Sequence, residues 1–343
     1  MNIVLIGGGT GSTVVLNGLK KHKDLNLKVI VSMMDDGGSN AVVRDEFGLL
    51  PLSDVRKSII ALADTQSNEV LRDLFTYRFH GSQSMEGHTL GNLLMIAMTD
   101  IMGSEVGAIE MFKNMFSVRG DIIPVTLDSV RLVAEYEDGS KVVGEHYIDE
   151  PEHHKEITKF YLDSNAKAFE GALKAIRTAD YIVLGPGDLY TTLLPNLLVE
   201  GITDEIKKSR GKLVYITNLM SKIGQTRDKT QKEILDTLEG YIGRKVDYVL
   251  VNNGRIPKEA YKRYLKDGEH ILQDDLHDGD GRLIIRKDLV ASDPIKKQKG
   301  DHLKRSLIRH DSEKLRKQLY AIFNRNKNGI SRILNSFFSY YKD

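Results

Sequence analysis

A glycine-rich segment near the start of the chain has the residue types of a phosphate site. Gly7-Gly8-Gly9-Thr10-Gly11 directly follows the apolar run 3–6. Glycine leaves backbone N–H groups open to a phosphate, because no Cβ stands in the way. A helix that begins near Ser12 would add the positive end of its dipole at the same point. The segment therefore predicts a site for a nucleotide or another phosphorylated ligand, although a tight turn without a ligand fits the same residues.

A second glycine-rich segment carries two adjacent carboxylates. Asp35-Asp36-Gly37-Gly38-Ser39 follows the apolar run 29–31. Mg²⁺ is commonly held by one or two carboxylates together with substrate phosphates, and a carboxylate can also deprotonate an attacking hydroxyl. We therefore predict that Asp35 and Asp36 bind a metal or act in catalysis. Gly37, Gly38 and Ser39 are predicted ligand contacts. The alternative is a structural pair of acids that caps the following turn or helix.

Two polar segments farther along the chain are further candidates. In Gly87-His88-Thr89-Leu90-Gly91-Asn92 the imidazole of His88 and the amide of Asn92 can hydrogen-bond a base, a sugar or a phosphate. The alternative is that Thr89 caps a helix and His88 is structural. The segment 185–192 combines a rigid turn, a helix start and hydroxyl groups, which suit a phosphate or a sugar. Its predicted ligand contacts are Gly185, Gly187, Asp188, Tyr190 and Thr191.

The elements that must position these residues read as an α/β fold. Apolar runs at 181–184, 213–217 and 248–251 also end in Gly or Asn, as expected for parallel strands that share one ligand-binding edge. Between residues 130 and 143 apolar and polar residues alternate around Asp138-Gly139, which indicates a β-hairpin. We predict a Rossmann-like doubly wound, mostly parallel sheet with an antiparallel hairpin insertion at about 121–163 and a helical C-terminal region. Helices are expected at 53–63, 69–77, 90–101, 106–116 and 330–341.

Composition excludes several classes of function. Lys plus Arg number 49 and Asp plus Glu 48 in 343 residues, so the net charge of +1 predicts no bulk attraction to nucleic acid. The chain has no cysteine, which excludes disulfides and cysteine-bound zinc. No apolar run reaches the length of a membrane span, and the N-terminus is typical of a first strand rather than a signal peptide. We expect a cytoplasmic protein.

Several weaker patterns fail on spacing. The glycine segment lacks the Gly-Lys-Ser/Thr ending of a P-loop, and Ser12 stands where a dinucleotide fingerprint has its last glycine. An NAD-dependent dehydrogenase is therefore the least favoured hypothesis. His153-His154 lacks the spacing of a zinc site, and the acidic segment 274–281 fails the EF-hand pattern. The basic stretch 296–317 is expected to be an exposed face.

Taken together, the segments resemble the CofD-like superfamily, and most closely its YvcK branch, the gluconeogenesis factors. The likeness runs in order from Asn2 to about Asn253. The motifs that carry it are Gly7 to Gly11, Asp35 to Ser39, Arg44 to Gly48, Leu50-Pro51, Asp54 to Arg56, Gly87 to Asn92, Gly185 to Thr191 and Pro195 to Leu198.

The resemblance implies a Rossmann-like core with a nucleotide at the strand ends. In CofD itself it implies transfer of a phospholactyl group from a guanosine diphosphate-linked donor to a deazaflavin precursor, with Mg²⁺. In the YvcK branch it implies binding of UDP-sugars such as UDP-N-acetylglucosamine, in support of cell-wall synthesis and cell shape during gluconeogenic growth. By matching positions, the phosphate would lie on Gly8, Gly9, Thr10 and Gly11, and Asn92, the 185–191 segment and Asn218 would line the nucleotide cleft.

The chain departs from the family pattern at several places: Leu52-Ser53 stands where Pro-Gly is common, Lys57 stands where Asn is common, and two further segments also differ. Asn40-Ala41 follows Gly37-Gly38-Ser39 where the family usually has Ser/Thr-Gly. Lys222-Ile223-Gly224-Gln225-Thr226 replaces the usual Pro-Gly-Glu-Thr, so an amide stands in place of a carboxylate. The loss of that carboxylate weakens the expectation of catalysis more than that of binding. We therefore favour a nucleotide-sugar-binding regulator over a phospholactyl transferase. A homodimer and a regulatory partner in the cell envelope are expected, with residues 1–300 as the nucleotide-binding domain and 301–343 as a helical extension.

Overall fold

The computed structural model describes residues 1–37, 40, 44, 46–64, 69–81, 85–151, 155–279, 281–292 and 307–339, with side chains as far as residue 325. Gly38, Ser39, Ala41, His153, His154 and the predicted domain boundary at residue 300 lie outside the described residues.

Across the described ranges, the core of the protein is a seven-stranded sheet in which every neighbouring pair of strands is parallel. A separate three-stranded antiparallel sheet, in the order β5-β4-β6, follows the third strand of the main sheet. The main strands are β1 (Asn2–Ile6), β2 (Asn26–Val31), β3 (Asp121–Pro124), β7 (Tyr181–Leu184), β8 (Lys212–Ile216), β9 (Tyr248–Asn252) and β10 (Leu283–Lys287), and the small sheet contains β4 (Leu132–Tyr136), β5 (Lys141–Val143) and β6 (Ile157–Leu162). The predicted fold class is confirmed.

Helices cover both faces of the main sheet. They are α1 (Gly9–Leu19), α2 (Ser53–Leu62), α3 (Glu69–Thr76), α4 (Leu90–Met102), α5 (Glu105–Met115), α6 (Glu145–Asp149), α7 (Glu170–Arg177), α8 (Leu194–Leu197), α9 (Ile202–Lys208), α10 (Gln231–Ile242), α11 (Lys258–Lys266) and α12 (Ser312–Ser339), with a π-helical turn at Leu189–Leu193. Successive strand residues alternate between two cores, so that Val4 packs with α7 to α10 and Leu5 packs with α1, α2 and α12.

The order of the strands places the ligand edge. The sheet runs β10-β9-β8-β7-β1-β2-β3, so the chain winds outward from β1 in one direction and, after the small sheet, from β7 in the other. The switch point of a doubly wound sheet lies between such a pair of strands, and ligands bind beyond their carboxyl ends. The turns after β1 and β7 are the glycine-rich segments 7–11 and 185–187.

Two sequence predictions for the C-terminal part of the chain were wrong, and one strand was missed. The terminal helix begins at Ser312, well before residue 330, because Leu315, Leu319 and Ile322 form a buried stripe that the basic composition of the segment hides. Leu315 also corrects the expectation that the basic stretch is exposed throughout. Strand β10 was not predicted. Ser53 and Asp54 are residue types that favour an N-cap, but both lie inside α2, whose N-cap is Leu52.

Among the described residues, no single helix has both the length and the apolar composition needed to cross a membrane. Helices α4 and α5 pass that composition test only as a pair, and they meet at a bend of 120°.

Candidate functional site

The two glycine turns touch each other at the switch point of the sheet. A Cβ built on Gly11 would overlap the carbonyl oxygen of Pro186. A Cβ on Gly8 would overlap the carboxylate of Asp54, which lies in the first turn of α2. The backbone of segment 7–11 is thus held between the turn after β7 and the start of α2, and only glycine permits such close approach.

The start of α1 presents backbone N–H groups without acceptors. Its N-cap, Gly8, makes no side-chain hydrogen bond, and the first turn contains no acidic residue. Gly7 N–H donates to Ile30 O at 3.1 Å and Ser12 N–H donates to Gly8 O at 3.3 Å. In the described part of the chain, the four amides between them donate to no protein oxygen. Unpaired amides at the positive end of a helix dipole suit an anion.

These amides open into a cleft of about 1240 Å³. The predicted site residues that line it are Gly8, Gly9, Thr10, Gly11, Asp35, Gly37, His88, Asn92, Gly187, Asp188, Thr191 and Asn218. The structure brings together residues from five separate segments of the chain. Two other predicted residues, Gly185 and Tyr190, do not line the cleft. Gly185 makes the turn at a φ of +74°, and Tyr190 is buried with its ring 5.2 Å from that of Phe160.

The two adjacent aspartates face different surroundings. The Asp35 carboxylate lines the cleft and accepts hydrogen bonds from Ser53 Oγ at 2.7 Å and from Gly37 N–H at 3.0 Å. Asp36 is buried, and its carboxylate accepts from His146 N–H at 2.9 Å, beside the start of α6. Asp36 thereby attaches the small sheet's helix to the main sheet, while Asp35 is the carboxylate that a ligand can reach.

A magnesium ion fits this arrangement only as an ion shared with a ligand. Within the described ranges, no group of three or more His, Asp or Glu side chains is arranged to hold a metal. Mg²⁺ often takes one or two carboxylates and completes its shell with phosphates and water. Asp35 can supply such a carboxylate next to the unpaired amides. Binding of a metal by Asp35 or Asp36 stays a prediction.

The amide side chains of the predicted site hold the walls of the cleft in place. Asn218 Oδ1 accepts from Gly187 N–H at 3.2 Å and its Nδ2 donates to Gly187 O at 3.0 Å. Asn92 Oδ1 accepts from Arg56 Nε at 2.8 Å. Thr89 is the N-cap of α4, and its hydroxyl accepts from Asn92 N–H at 3.3 Å, so the alternative interpretation of this segment is confirmed for Thr89.

A charged group on one wall was not predicted as part of the site. Lys222 Nζ lies between the carboxylates of Asp149 and Asp188, 2.9 Å from Asp188 Oδ2. Asp149 Oδ1 also accepts from Thr191 Oγ1 at 2.8 Å and from Gln225 Nε2 at 3.0 Å. We call these five residues the Lys222 cluster. Burial lowers the pKa of Lys222, but the carboxylates of Asp188 and Asp149 outweigh it and hold the pKa above its ordinary value.

Glu145 adds a carboxyl group to the same wall. Burial raises its pKa well above the ordinary value of 4.5, and the negative charges of Asp35 and Asp149 raise it further. The positive charge of Lys222 acts in the opposite direction but does not cancel them. The wall thus holds an acid that keeps its proton above the pH at which an exposed glutamate loses it.

One part of the cleft lining is apolar, and basic residues also line the cleft. The apolar part includes Leu219, Met220, Tyr264 and Ile308, which pack together in one small cluster. Arg263, Lys266 and Arg309 are among the basic residues. His310 is buried beside them, and burial lowers its pKa to about 4, so the ring is neutral at pH 7. None of these residues belongs to a recognisable motif, which explains why the sequence did not predict them.

Comparison with known proteins agrees with this geometry. The family model described as "2-phospho-L-lactate transferase CofD" matches residues 3–290. The chain is similar to a gluconeogenesis factor of Listeria monocytogenes, with 37% identity over 93% of this chain and 95% of the relative. A gluconeogenesis factor of Bacillus subtilis is 36% identical over 91% of this chain and 95% of the relative. The crystal structure of a Bacillus halodurans protein superposes with a TM-score of 0.84 at 35% identity, covering 93% of this chain and 99% of that one.

Proposed function

This chain belongs to the CofD family, and from that premise we propose that it is a nucleotide-sugar-binding regulator of the gluconeogenesis-factor type. Its ligand is a nucleoside diphosphate sugar of the UDP-N-acetylglucosamine class. Its role is to support cell-wall synthesis and cell shape during gluconeogenic growth, in the cytoplasm. The names of the similar Listeria and Bacillus proteins support the gluconeogenesis part of this proposal.

One observation carries the proposal of a diphosphate ligand. The four amides of Gly8 to Gly11 have no acceptor among the described residues and lie at the helix start in the cleft. A diphosphate would accept several of these N–H groups at once, and charge-assisted hydrogen bonds of this kind are the strong ones. A neutral ligand would leave the helix dipole without a counter-charge.

The size of the cleft and the unlike chemistry of its lining residues support a ligand with two unlike ends. Common small-molecule sites enclose up to about 1,000 Å³, and the cleft of about 1240 Å³ has room for a base, a diphosphate and a sugar. The apolar part of the lining, with Tyr264, suits a base, because aromatic rings stack on nucleobases. The polar wall with Thr191 and Asp188 suits sugar hydroxyls. A micromolar dissociation constant corresponds to a binding free energy of about −8 kcal/mol.

A second candidate function is a transferase that moves a phospholactyl group from a guanosine diphosphate-linked donor to a hydroxyl acceptor. The family description and the position of Asp35 in the cleft lining favour it. In that reaction Asp35 would take the proton of the acceptor hydroxyl, whose oxygen attacks phosphorus while GMP leaves. Against it, Ser53 and Gly37 already donate to Asp35, and Asp36 faces away from the cleft.

Isothermal titration calorimetry distinguishes the two. The protein is titrated with UDP-N-acetylglucosamine and with GDP, each with and without Mg²⁺. The regulator predicts tight binding of the UDP-sugar and weak binding of GDP. Tighter binding of GDP would reject the UDP-sugar assignment and favour the transferase. If neither ligand gives a heat of binding, with or without Mg²⁺, both proposed functions are contradicted.

A further inference from the structure

We infer that Lys222 is a resident cation of the cleft, which occupies the position between Asp149 and Asp188 that a divalent metal ion would otherwise take. Its ammonium group then supplies the positive charge that an anionic ligand meets on this wall. The role of Lys222 toward an anionic ligand rests on the proposed function, whereas its occupation of the position between Asp149 and Asp188 does not.

The oxygens around the Lys222 ammonium are those of a hard-cation site. Asp149 Oδ1 and Asp188 Oδ2 both contact Nζ, and carboxylate oxygens are the ligands that Mg²⁺, Ca²⁺ and Mn²⁺ prefer. Asp149 belongs to α6 and Asp188 to the turn after β7. The lysine comes from a third segment, after β8. Three distant parts of the chain thus converge on one charge.

The charge is needed because the wall is otherwise acidic. Asp35, Asp149 and Asp188 line the cleft, and their negative charges would repel a diphosphate bound to the amides of α1. The Lys222 side chain is 26% exposed, so water screens its charge only partly. Its raised pKa agrees with an ammonium group that stays charged across the physiological pH range.

A purely structural role for Lys222 makes different predictions. If Lys222 only links α6 to the turn after β7, any other side chain should replace it poorly. Its loss should then create no new binding property. A resident cation leaves behind a pair of carboxylates with an unfilled position. Removal of the charge alone, with the aliphatic stem retained, therefore separates the two roles.

The first test measures Mn²⁺ binding by electron paramagnetic resonance without any nucleotide. We compare wild type, Lys222→Met, Lys222→Arg and the control Lys232→Met, which breaks an exposed pair with Asp236 on α10. Lys222→Met should bind Mn²⁺ about tenfold or more tightly than wild type, because two converging carboxylates lose their counter-charge. Lys222→Arg and Lys232→Met should not, and adding Asp149→Asn to Lys222→Met should abolish the gain.

A folded Lys222→Met protein that binds Mn²⁺ no more tightly than wild type would overturn the inference. Folding is checked by circular dichroism, and Lys222→Gln replaces the methionine variant in the same titration if that variant unfolds. A gain that persists after Asp149→Asn would also overturn it, since the metal would then lie elsewhere.

The second test concerns the ligand. In EDTA, Lys222→Met should bind UDP-N-acetylglucosamine about tenfold more weakly than wild type, and Lys222→Arg should stay close to wild type. Millimolar Mg²⁺ should restore most of the loss in Lys222→Met. Loss without rescue would contradict the resident-cation role in ligand binding. If wild type binds no UDP-N-acetylglucosamine, the proposed function fails, and the Mn²⁺ titration still decides the inference.

Discussion

The two walls of the cleft are built on opposite principles. The glycine wall, formed by residues 7–11 and 185–187, works through the absence of side chains, so that its amides are open and its two turns can touch. The Lys222 cluster works through side chains whose charges come from three distant segments. The first wall is fixed by backbone geometry and the second by electrostatics.

This difference predicts two kinds of sensitivity. The glycine wall should fail when an atom is added at Gly11, whatever its charge, because the Pro186 backbone beside it cannot move aside cheaply. The Lys222 cluster should tolerate changes of shape but respond to charge, salt and pH, since its energy depends on the balance of like and unlike charges.

The largest effect is expected from Gly11→Ala. The new Cβ would overlap the carbonyl oxygen of Pro186, which is backbone, so we expect a loss of about 3 kcal/mol of unfolding free energy. Ligand binding should be lost with it, because the turns after β1 and β7 must separate. Urea denaturation and calorimetric titration measure the two effects.

Gly240→Ala is the matched control, since Gly240 lies in α10 with no heavy atom within 4 Å of a new Cβ. It should be neutral or stabilising by up to about 1 kcal/mol. If the two alanine variants are equally stable, the glycine wall can accommodate an added methyl group, and the contrast between the two walls is contradicted.

The next effect concerns Glu145 and is a pH dependence. Its pKa is raised in the folded protein above 4.5, so the folded state holds a proton that the unfolded chain has lost. The unfolding free energy should therefore fall as pH rises from about 4.5 to the folded pKa, at up to about 1.4 kcal/mol per pH unit. Glu145→Gln removes this penalty, so the variant should be more stable than wild type at pH 7.

At pH 4 the two proteins should have nearly equal stability, because Glu145 is then protonated in both states. Thermal unfolding of both across pH 4 to 8 measures the difference. A constant difference over that range would indicate a packing effect and contradict the electrostatic account of this wall.

The smallest effects separate the two adjacent aspartates. Asp36→Asn weakens the buried bond from His146 N–H, so we expect a loss of about 1–2 kcal/mol of stability with ligand affinity largely kept. Asp35→Asn should cost less than about 1 kcal/mol of stability, since its carboxylate faces the cleft. It should instead remove any enhancement of binding by Mg²⁺. The reverse ranking of the two variants would contradict the assignment of Asp35 as the ligand-facing carboxylate.

Local pattern was sufficient for much of the fold and for the glycine wall. Strand β7 was predicted with the bounds that the structure has, and the turn residues after five of the parallel strands indicated the ligand edge. Thr89 was foreseen as a possible cap because threonine hydroxyls accept from the first turn of a helix. The functional residues of a glycine-rich turn are adjacent in the chain, so a sequence pattern can detect them.

The Lys222 cluster could not be predicted in this way. Asp149, Asp188 and Lys222 are far apart in the chain, and each lies in a segment without a charge pattern of its own. Asp188 and Thr191 were predicted as ligand contacts but not as partners of Lys222, and the departure from the family pattern was the signal at Lys222 and Gln225. The alternation of strand residues also could not show which of Asp35 and Asp36 faces the cleft. Both residues follow the last residue of β2, so the two-residue period of the strand no longer applies to them.

The most direct test of the account is a crystal structure of the protein with UDP-N-acetylglucosamine. The account predicts that the diphosphate lies within hydrogen-bond distance of the amides of Gly8 to Gly11, with the base toward Tyr264 and the sugar toward Thr191. A diphosphate bound elsewhere in the cleft, with those amides facing water, would contradict the central claim that the start of α1 is the anion site.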